Sequence, residues 1–353
     1  MAEGLTVAQT ALVVLSVIIV ALFAVTMAFS TYTIVLRIRN ERRDRLWRDL
    51  TERWEAPVLD AIMDPEAVPS VWPQVPDRYR LHFVQFVLEY TRRVRGEERR
   101  TLARLAEPYL DGIAERVDDR RAEIRTRAVQ TLGTLGLPKY ADQVIAGLDD
   151  PSPLVSMVAA RSLARRDHPE FAPVVMKHLA RFDGWNPRFL ASMLAAMGPE
   201  ASQTFRQSLA DPATPAWLRA VEAEALRMQL DPASGDIAVE ALGNATNREL
   251  VASLLRLIAA VGRPEHVSLI RGICTDEDPV IRAHALHALG ELGTDADLPL
   301  LLDAMSDPSP WVALHAARGV REAGGSKVLV ELARSDGVPA RLAGQVLHEG
   351  AHS

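Results

Sequence analysis

The sequence predicts an all-α chain, an α-solenoid of stacked helical hairpins preceded by one transmembrane helix. Three observations carry this reading. Gly136, Gly262 and Gly293 are each followed seventeen residues later by Pro153, Pro279 and Pro310, and the last two units abut with a period of 31. Each interval ends in an acidic turn, such as Asp276-Glu277-Asp278-Pro279 or Asp307-Pro308-Ser309-Pro310. Near the N-terminus, Ala11 to Phe29 is broken only by Ser16 and Thr26. A fixed period of this length marks stacked helix pairs, in which function lies on the surface.

The apolar run comes first in the chain. Nineteen residues rising ~1.5 Å each reach roughly 28 Å, enough to cross a bilayer core. A signal peptide has a basic start and an apolar core of roughly 7–15 residues. Met1–Thr10 carries no Lys or Arg and the run is longer, so residues 11–36 read as a retained anchor. Arg37, Arg39, Arg42, Arg43 and Arg45 follow. The positive-inside rule then places residues 1–10 outside and the rest in the cytoplasm, at the inner membrane. Ala24 and Ala28 form a small-xxx-small pair suited to packing another membrane helix. The plainer reading is alanine in an alanine-rich chain.

Residues 37–100 do not obey the repeat and read as a juxtamembrane junction and N-terminal cap. Trp47, Leu50, Trp54, Val58 and Ile62 fall on one helical stripe, so a helix is expected to about Met63. Asp64-Pro65, Pro69, Pro73 and Pro76 predict a rigid loop containing Trp72. Asp77 is the expected cap of the next helix, with Leu81, Phe83, Val84, Phe86, Val87 and Tyr90 on its apolar side and Gly96 as its stop. Trp47, Trp54 and Trp72 have two readings: they dock a membrane partner, or they seal the open end of the array. Arg92, Arg93, Arg95, Arg99 and Arg100 are interleaved with Glu97 and Glu98, which favours a solvated helix end over a lipid contact.

Residues 101–353 hold the repeats. Counting from Ala122, Pro153, Pro279 and Pro310, the second residue on is apolar (Ile124, Val155, Ile281, Val312). The sixth is alanine (Ala128, Ala159, Ala285, Ala316) and the ninth is small (Thr131, Ser162, Ala288, Gly319). The tenth is apolar again (Leu132, Leu163, Leu289, Val320). These steps form one stripe of an α-helix, small enough for close packing. Proline suits the first helical turn, a preceding Asp or Ser can cap it, and a glycine at φ > 0 is expected to end it. Weaker copies begin at Pro187, Trp217 and Asn247, and a last one at Pro339 serves as the end cap.

The stretch Asp278-Pro279-Val280-Ile281-Arg282-Ala283-His284-Ala285-Leu286-His287-Ala288-Leu289-Gly290-Glu291-Leu292-Gly293 resembles the short, roughly 30-residue HEAT-like repeat common in bacteria. The family pairs an arginine, here Arg125 and Arg282, with an acidic turn residue. Ser156 and Ala313 depart from that pattern. The resemblance covers about two-thirds of the chain and implies a fold more than a function. With the anchor and Trp54-Glu55-Ala56-Pro57, the layout resembles membrane-anchored bacterial HEAT proteins. That resemblance implies an accessory subunit of a membrane glycosyltransferase that makes exported polysaccharide.

Composition narrows the chemistry. The 353 residues are 48% hydrophobic and 5% aromatic, with net charge −6. Residues 37–100 carry +2 and residues 101–353 carry −7, a poor match for a nucleic-acid backbone. One cysteine, Cys274, rules out an internal disulfide or cysteine cluster. His284, His287 and His315 are the candidate metal ligands, one turn and one repeat apart, since three imidazoles can hold a catalytic zinc. Against this, the same repeat position holds Arg127 and Val158 elsewhere. The single His348-Glu349 pair falls short of the ligand set of a HEAT-repeat iron hydroxylase. No phosphate loop, nucleophile elbow or Cys/His pair is present. Glu222 and Glu224 read as solvent-face charges.

The reading is therefore a non-enzymatic, membrane-anchored cytoplasmic scaffold that binds a protein and needs no cofactor, small-molecule substrate or nucleic acid. The contact surface is expected on the second helix of each hairpin, at positions such as Asp297, Asp303, Glu331 and Arg334. The alternative is a metal-dependent or cofactor-handling enzyme that uses the histidine stripe.

Overall fold

The computed structural model describes residues 7–350, with side chains from Leu12 onward. Residues 1–6 of the expected outer segment and residues 351–353 lie outside the described residues. The described chain is helical, without strands. It divides into two compact units, one up to Gly112 and one from Ile113.

The first unit is organised by α1 (Val7–Met63), one continuous helix of 57 residues. Its large apolar side chains from Leu12 to Ile38 are exposed, and the helix is long and apolar enough to cross a membrane. Its last turns change character, since Leu50, Trp54, Val58 and Ala61 recur on one stripe and are buried. They pack with α2 (Arg80–Thr91) and α3 (Gly96–Ala106). Trp54 meets Phe83 and Phe86 edge-on at centroid distances of 5.2 and 5.8 Å. Its indole N–H donates to the Gln74 carbonyl at 3.3 Å.

Four expectations for this unit need correction. The proline-rich stretch forms consecutive helical turns, Pro65–Ala67, Val68–Val71 and Trp72–Gln74, instead of a loop. Each turn carries a proline in its first two positions, where a missing N–H leaves no bond unmade. Asp77 caps nothing; its carboxylate accepts from Arg80 at 2.7 Å. Gly96 does not stop α2, which ends at Thr91. At φ +60 it opens α3 instead. Leu81 also lies off the apolar side, 49% exposed.

The second unit alternates long and short helices. The long ones are α4 (Ala122–Leu135), α5 (Pro153–Leu163), α6 (Pro187–Ala195), α7 (Ala216–Gln229), α8 (Arg248–Val261), α9 (Pro279–Leu292), α10 (Pro310–Glu322) and α11 (Val338–Gly350). They pack in sequence, α4 on α5 and then α6 through α11. The predicted stripe is the packing face, with Ala128, Ala159, Ala285 and Ala316 all buried. Contact between α9 and α10 is backbone against backbone. A Cβ on Gly290 would stand 2.4 Å from the Cα of Gly319. The same two repeat positions meet between α4 and α5, where a Cβ on Gly133 would lie 2.2 Å from that of Ser162.

The turns are clamped. Arg125 makes paired bonds to Asp150 at 2.7 and 2.9 Å and donates to the Asp119 carbonyl at 2.8 Å. Arg282 repeats this with Asp307 at 2.9 and 3.0 Å and the Asp276 carbonyl at 2.8 Å. The departure at Ser156 is filled from another helix, because Arg181 reaches the Leu148 and Asp150 carbonyls at 2.5 and 2.8 Å. Asp278 caps α9 through the Val280 amide, whereas Ser152 and Ser309 make no side-chain cap.

The helix-ending glycines are not alike. Gly136 is left-handed at φ +67, as expected. Gly262 and Gly293 are not, at φ −68 and −74. Their amides donate to Ile258 and Leu289 carbonyls, and a Cβ would come within 2.4 Å of those same oxygens. Close approach, not handedness, requires glycine there. Helix α11 turns Arg341, Gln345 and His348 outward, giving it a polar exposed face.

Gly290→Ala should cost about 3 kcal/mol, because helices α9 and α10 must separate to admit a methyl group. Gly344→Ala in α11 meets nothing within 4 Å and should be neutral or stabilising by up to ~1 kcal/mol. Urea unfolding of the detergent-solubilised chain distinguishes them, and equal effects would remove the close contact as the cause.

Candidate functional site

Stacking uses one stripe of each long helix and leaves another open. Counted from the same starting residue, positions one, five, eight and twelve fall on the open stripe. Position one is Arg188, Trp217, Glu249 and Trp311 on α6, α7, α8 and α10. Position five is Val221, Ser253, His284 and His315, and position eight is Glu224, Arg256 and His287. These side chains line a groove of about 1200 Å³ that crosses five helices. The groove lies on the long helices and not on the short ones expected to carry the contact surface. Of the residues expected there, Asp297 is 2% exposed, held by Arg271 at 2.5 Å and by the Thr294 amide at 3.0 Å.

The floor is a chain of polar contacts. Arg227 donates twice to Glu224, at 2.7 and 3.0 Å, and Arg256 approaches the same carboxylate at 3.5 Å. These guanidinium groups hold the Glu224 carboxyl below its usual range against the opposing effect of its partial burial. Arg256 also donates to the Ser253 hydroxyl at 2.9 Å and lies 3.2 Å from Nε2 of His284. Burial first, then Arg256 and the neighbouring imidazoles, pushes His284 down to about 4. Burial, His287 and Arg318 push His315 down to about 4 as well. Both rings are neutral at pH 7.

The three histidines expected as metal ligands do come together. His315 lies 6.3 Å from His284 and 6.1 Å from His287, centroid to centroid. They do not form a metal site. Nε2 of His284 faces a guanidinium cation, both nitrogens of His315 are buried without partners, and Trp311 packs on His315 at 4.4 Å. Among the described residues no three such side chains are placed so that they could hold a metal ion. Cys274 is buried, its thiol pushed up to about 12 by that burial.

The docking candidates of the first unit separate by burial. Trp54 is fully buried and has no surface for a partner. Trp72 is half-buried, its indole N–H bonded to the Leu105 carbonyl at 3.2 Å. Trp47 is half-buried beside His82. Ala24 and Ala28 are exposed on α1.

Two residues of α7 break the repeat. Glu222 stands at position six, where α4, α5, α9 and α10 have alanine, and is 0% exposed, so it is not a solvent-face charge. Its Oε1 accepts from Ser208 at 2.7 Å, and Oε2 has no partner. Burial raises its carboxyl to about 8 against the opposing effects of Ser208 and Arg219. Leu230 stands where other repeats have Gly136, Gly262, Gly293 and Gly324. It adopts φ +51, is 63% exposed and lines the groove with Met228, 42% exposed. Sequence reasoning missed both residues and both groove tryptophans. The signal was the repeat register carried into α7, counted from Ala216, the residue after Pro215.

A sequence profile described as HEAT repeats matches residues 110–191 and 235–321, and leaves out α7. HEAT repeats are thus matched within these two stretches. No curated protein matches the chain. Among solved structures, a mutant of Kap121p is similar over 70% of this chain and 33% of its own, with 13% identity and TM-score 0.44. The karyopherin Kap121p bound to the extreme C-terminus of the protein phosphatase Cdc14p is similar over 81% and 43%, with 12% identity and TM-score 0.40. The chain thus spans less than half the length of these karyopherin chains. The complex of CpcE and CpcF of phycocyanin lyase from Nostoc sp. PCC7120 is similar over 68% of this chain and 87% of that one, with 16% identity and TM-score 0.34.

Glu222 gives a pH signature. Its folded carboxyl titrates near 8 and its unfolded one near 4.5, so between these values the folded state holds an extra proton. Stability must then fall as pH rises through this window and level off above it. Glu222→Gln removes that loss. The melting temperature of Glu222→Gln relative to the parent should climb from pH 5 to pH 8, and a pH-independent difference would contradict the assignment.

Proposed function

We propose that the chain is a membrane-anchored, non-enzymatic scaffold that holds a protein partner in the groove of its HEAT-repeat array. The groove is the observation that carries this reading. It is formed by the stripe that stacking leaves free, and at about 1200 Å³ it exceeds the roughly 300–1000 Å³ of small-molecule sites. Its ionisable groups bond to one another, as in Arg227–Glu224–Arg256, an arrangement suited to holding a surface in place. No activated nucleophile or acid–base pair is formed by these contacts.

The first half of α1 supplies the anchor, with the arginines from Arg37 to Arg45 keeping the repeats on the cytoplasmic side. The partner class follows from the resemblance in layout. A membrane glycosyltransferase that makes exported polysaccharide is the first protein to test, and Ala24 and Ala28 offer it a close-packing stripe within the bilayer.

A photo-crosslinking residue at Ala260, on the groove, should capture one dominant membrane protein in native membranes. The same residue at Lys327, on a short helix, should not. Equal capture at both positions would remove the groove as the docking face. A fluorescent-protein fusion at Ser353 should fluoresce and an alkaline phosphatase fusion should be inactive; the reverse pair would place the repeats outside.

A further inference from the structure

We infer that the groove takes an extended segment of the partner, positively charged where it meets α8 to α10 and apolar where it meets the end of α7. This rests on the docking reading above and adds the chemistry of the occupant. A polypeptide segment suits a groove that crosses five successive helices with side chains at matching repeat positions.

The charge follows from which ions are already paired. On α8 to α10, Arg248 is held by Asp278 at 2.7 Å and Arg282 by Asp307 at 2.9 Å, while Arg256, at 3.5 Å from Glu224, shares that carboxylate with Arg227. Arg318 is held by Glu349 at 3.0 Å. The carboxylates of the same stretch are not balanced. Glu249 is exposed and makes no ion pair among the described residues, and Glu291 has only His287, at 4.0 Å. The imidazoles of His284 and His315 add no positive charge at pH 7. Trp311, at position one of α10 as Glu249 is of α8, is 50% exposed, and a tryptophan face attracts a guanidinium or ammonium group. This end of the groove therefore has two open carboxylates and an open aromatic ring, and each of its guanidinium groups faces a carboxylate among the described residues. The −7 carried by residues 101–353 adds long-range attraction for the same sign.

The apolar end follows from Leu230. A leucine in the left-handed region costs roughly 1–2 kcal/mol, which a glycine at the same position avoids. The side chain gains nothing from the core, being 63% exposed. With Met228 it forms an apolar lip at the C-terminal end of α7, a surface that only an apolar partner would reward.

The test uses the full chain in nanodiscs and fluorescence anisotropy. One fluorescein-labelled peptide carries leucines followed by arginines; a second has glutamates in place of the arginines. The arginine peptide should bind about tenfold tighter than the glutamate peptide. The double variant Glu249→Gln, Glu291→Gln should weaken it several-fold and flatten its salt dependence. Leu230→Gly should weaken it while raising the melting temperature. Equal affinity for both peptides, or an arginine peptide indifferent to the double variant, overturns the basic occupant and leaves the groove a docking face. Failure of both peptides to bind also overturns the inference, and crosslinking at Ala260 then decides whether the docking reading falls with it.

Discussion

Everything in the second unit depends on how closely the long helices approach. Gly290 against Gly319, and Gly133 against Ser162, bring neighbouring backbones together where even a methyl group has no room. That contact sets the spacing of the layer and the rotation of each helix about its axis. Once the rotation is set, the face left over is set as well. The groove results from this packing, because the open stripe of each helix is whatever the small-residue stripe is not.

The ion pairs act at a second level. Arg125–Asp150 and Arg282–Asp307 tie consecutive turns together while their guanidinium groups also accept the load of the preceding turn's carbonyls. Each pair is small in energy taken singly, but it repeats the spacing of the array at its edge. In α7 the scheme is different. Arg219 occupies the arginine position, yet the turn residue where its aspartate would stand is Asn244. Arg219 bonds to the Leu209 carbonyl at 2.9 Å instead, and Glu222 lies inside the helix layer as the nearby acid. The departure of α7 from the family profile therefore has a physical counterpart in a rearranged clamp.

The stack was legible because its signals are local. Proline at a helix start, alanine at position six and glycine past the end each act within one or two turns, and a fixed period makes them add up. What required three dimensions was of another kind. Gly136 and Gly262 look the same in sequence, but one is selected by handedness and the other by a carbonyl in its path. Glu222 reads as a surface charge unless the register of α7 is first fixed, and there the proline, Pro215, stands one residue ahead of the helix instead of opening it. His284 and Arg256 belong to different repeats and meet only because of the phase of the stack. Trp54 shows the same limit in the first unit. Its stripe was readable, but its complete burial depends on Phe83 and Phe86 arriving from a later helix.

The continuity of α1 has a mechanical consequence. A helix of 57 residues is about 85 Å long at ~1.5 Å per residue. The apolar, exposed portion and the portion bearing Leu50, Trp54 and Val58 are one rod without an intervening hinge. Pro57 is the one helix-weakening residue within it, and it lies among the buried turns, clasped by the aromatic core, where bending is most resisted. A tilt of the apolar portion is therefore carried into that core along a single helix.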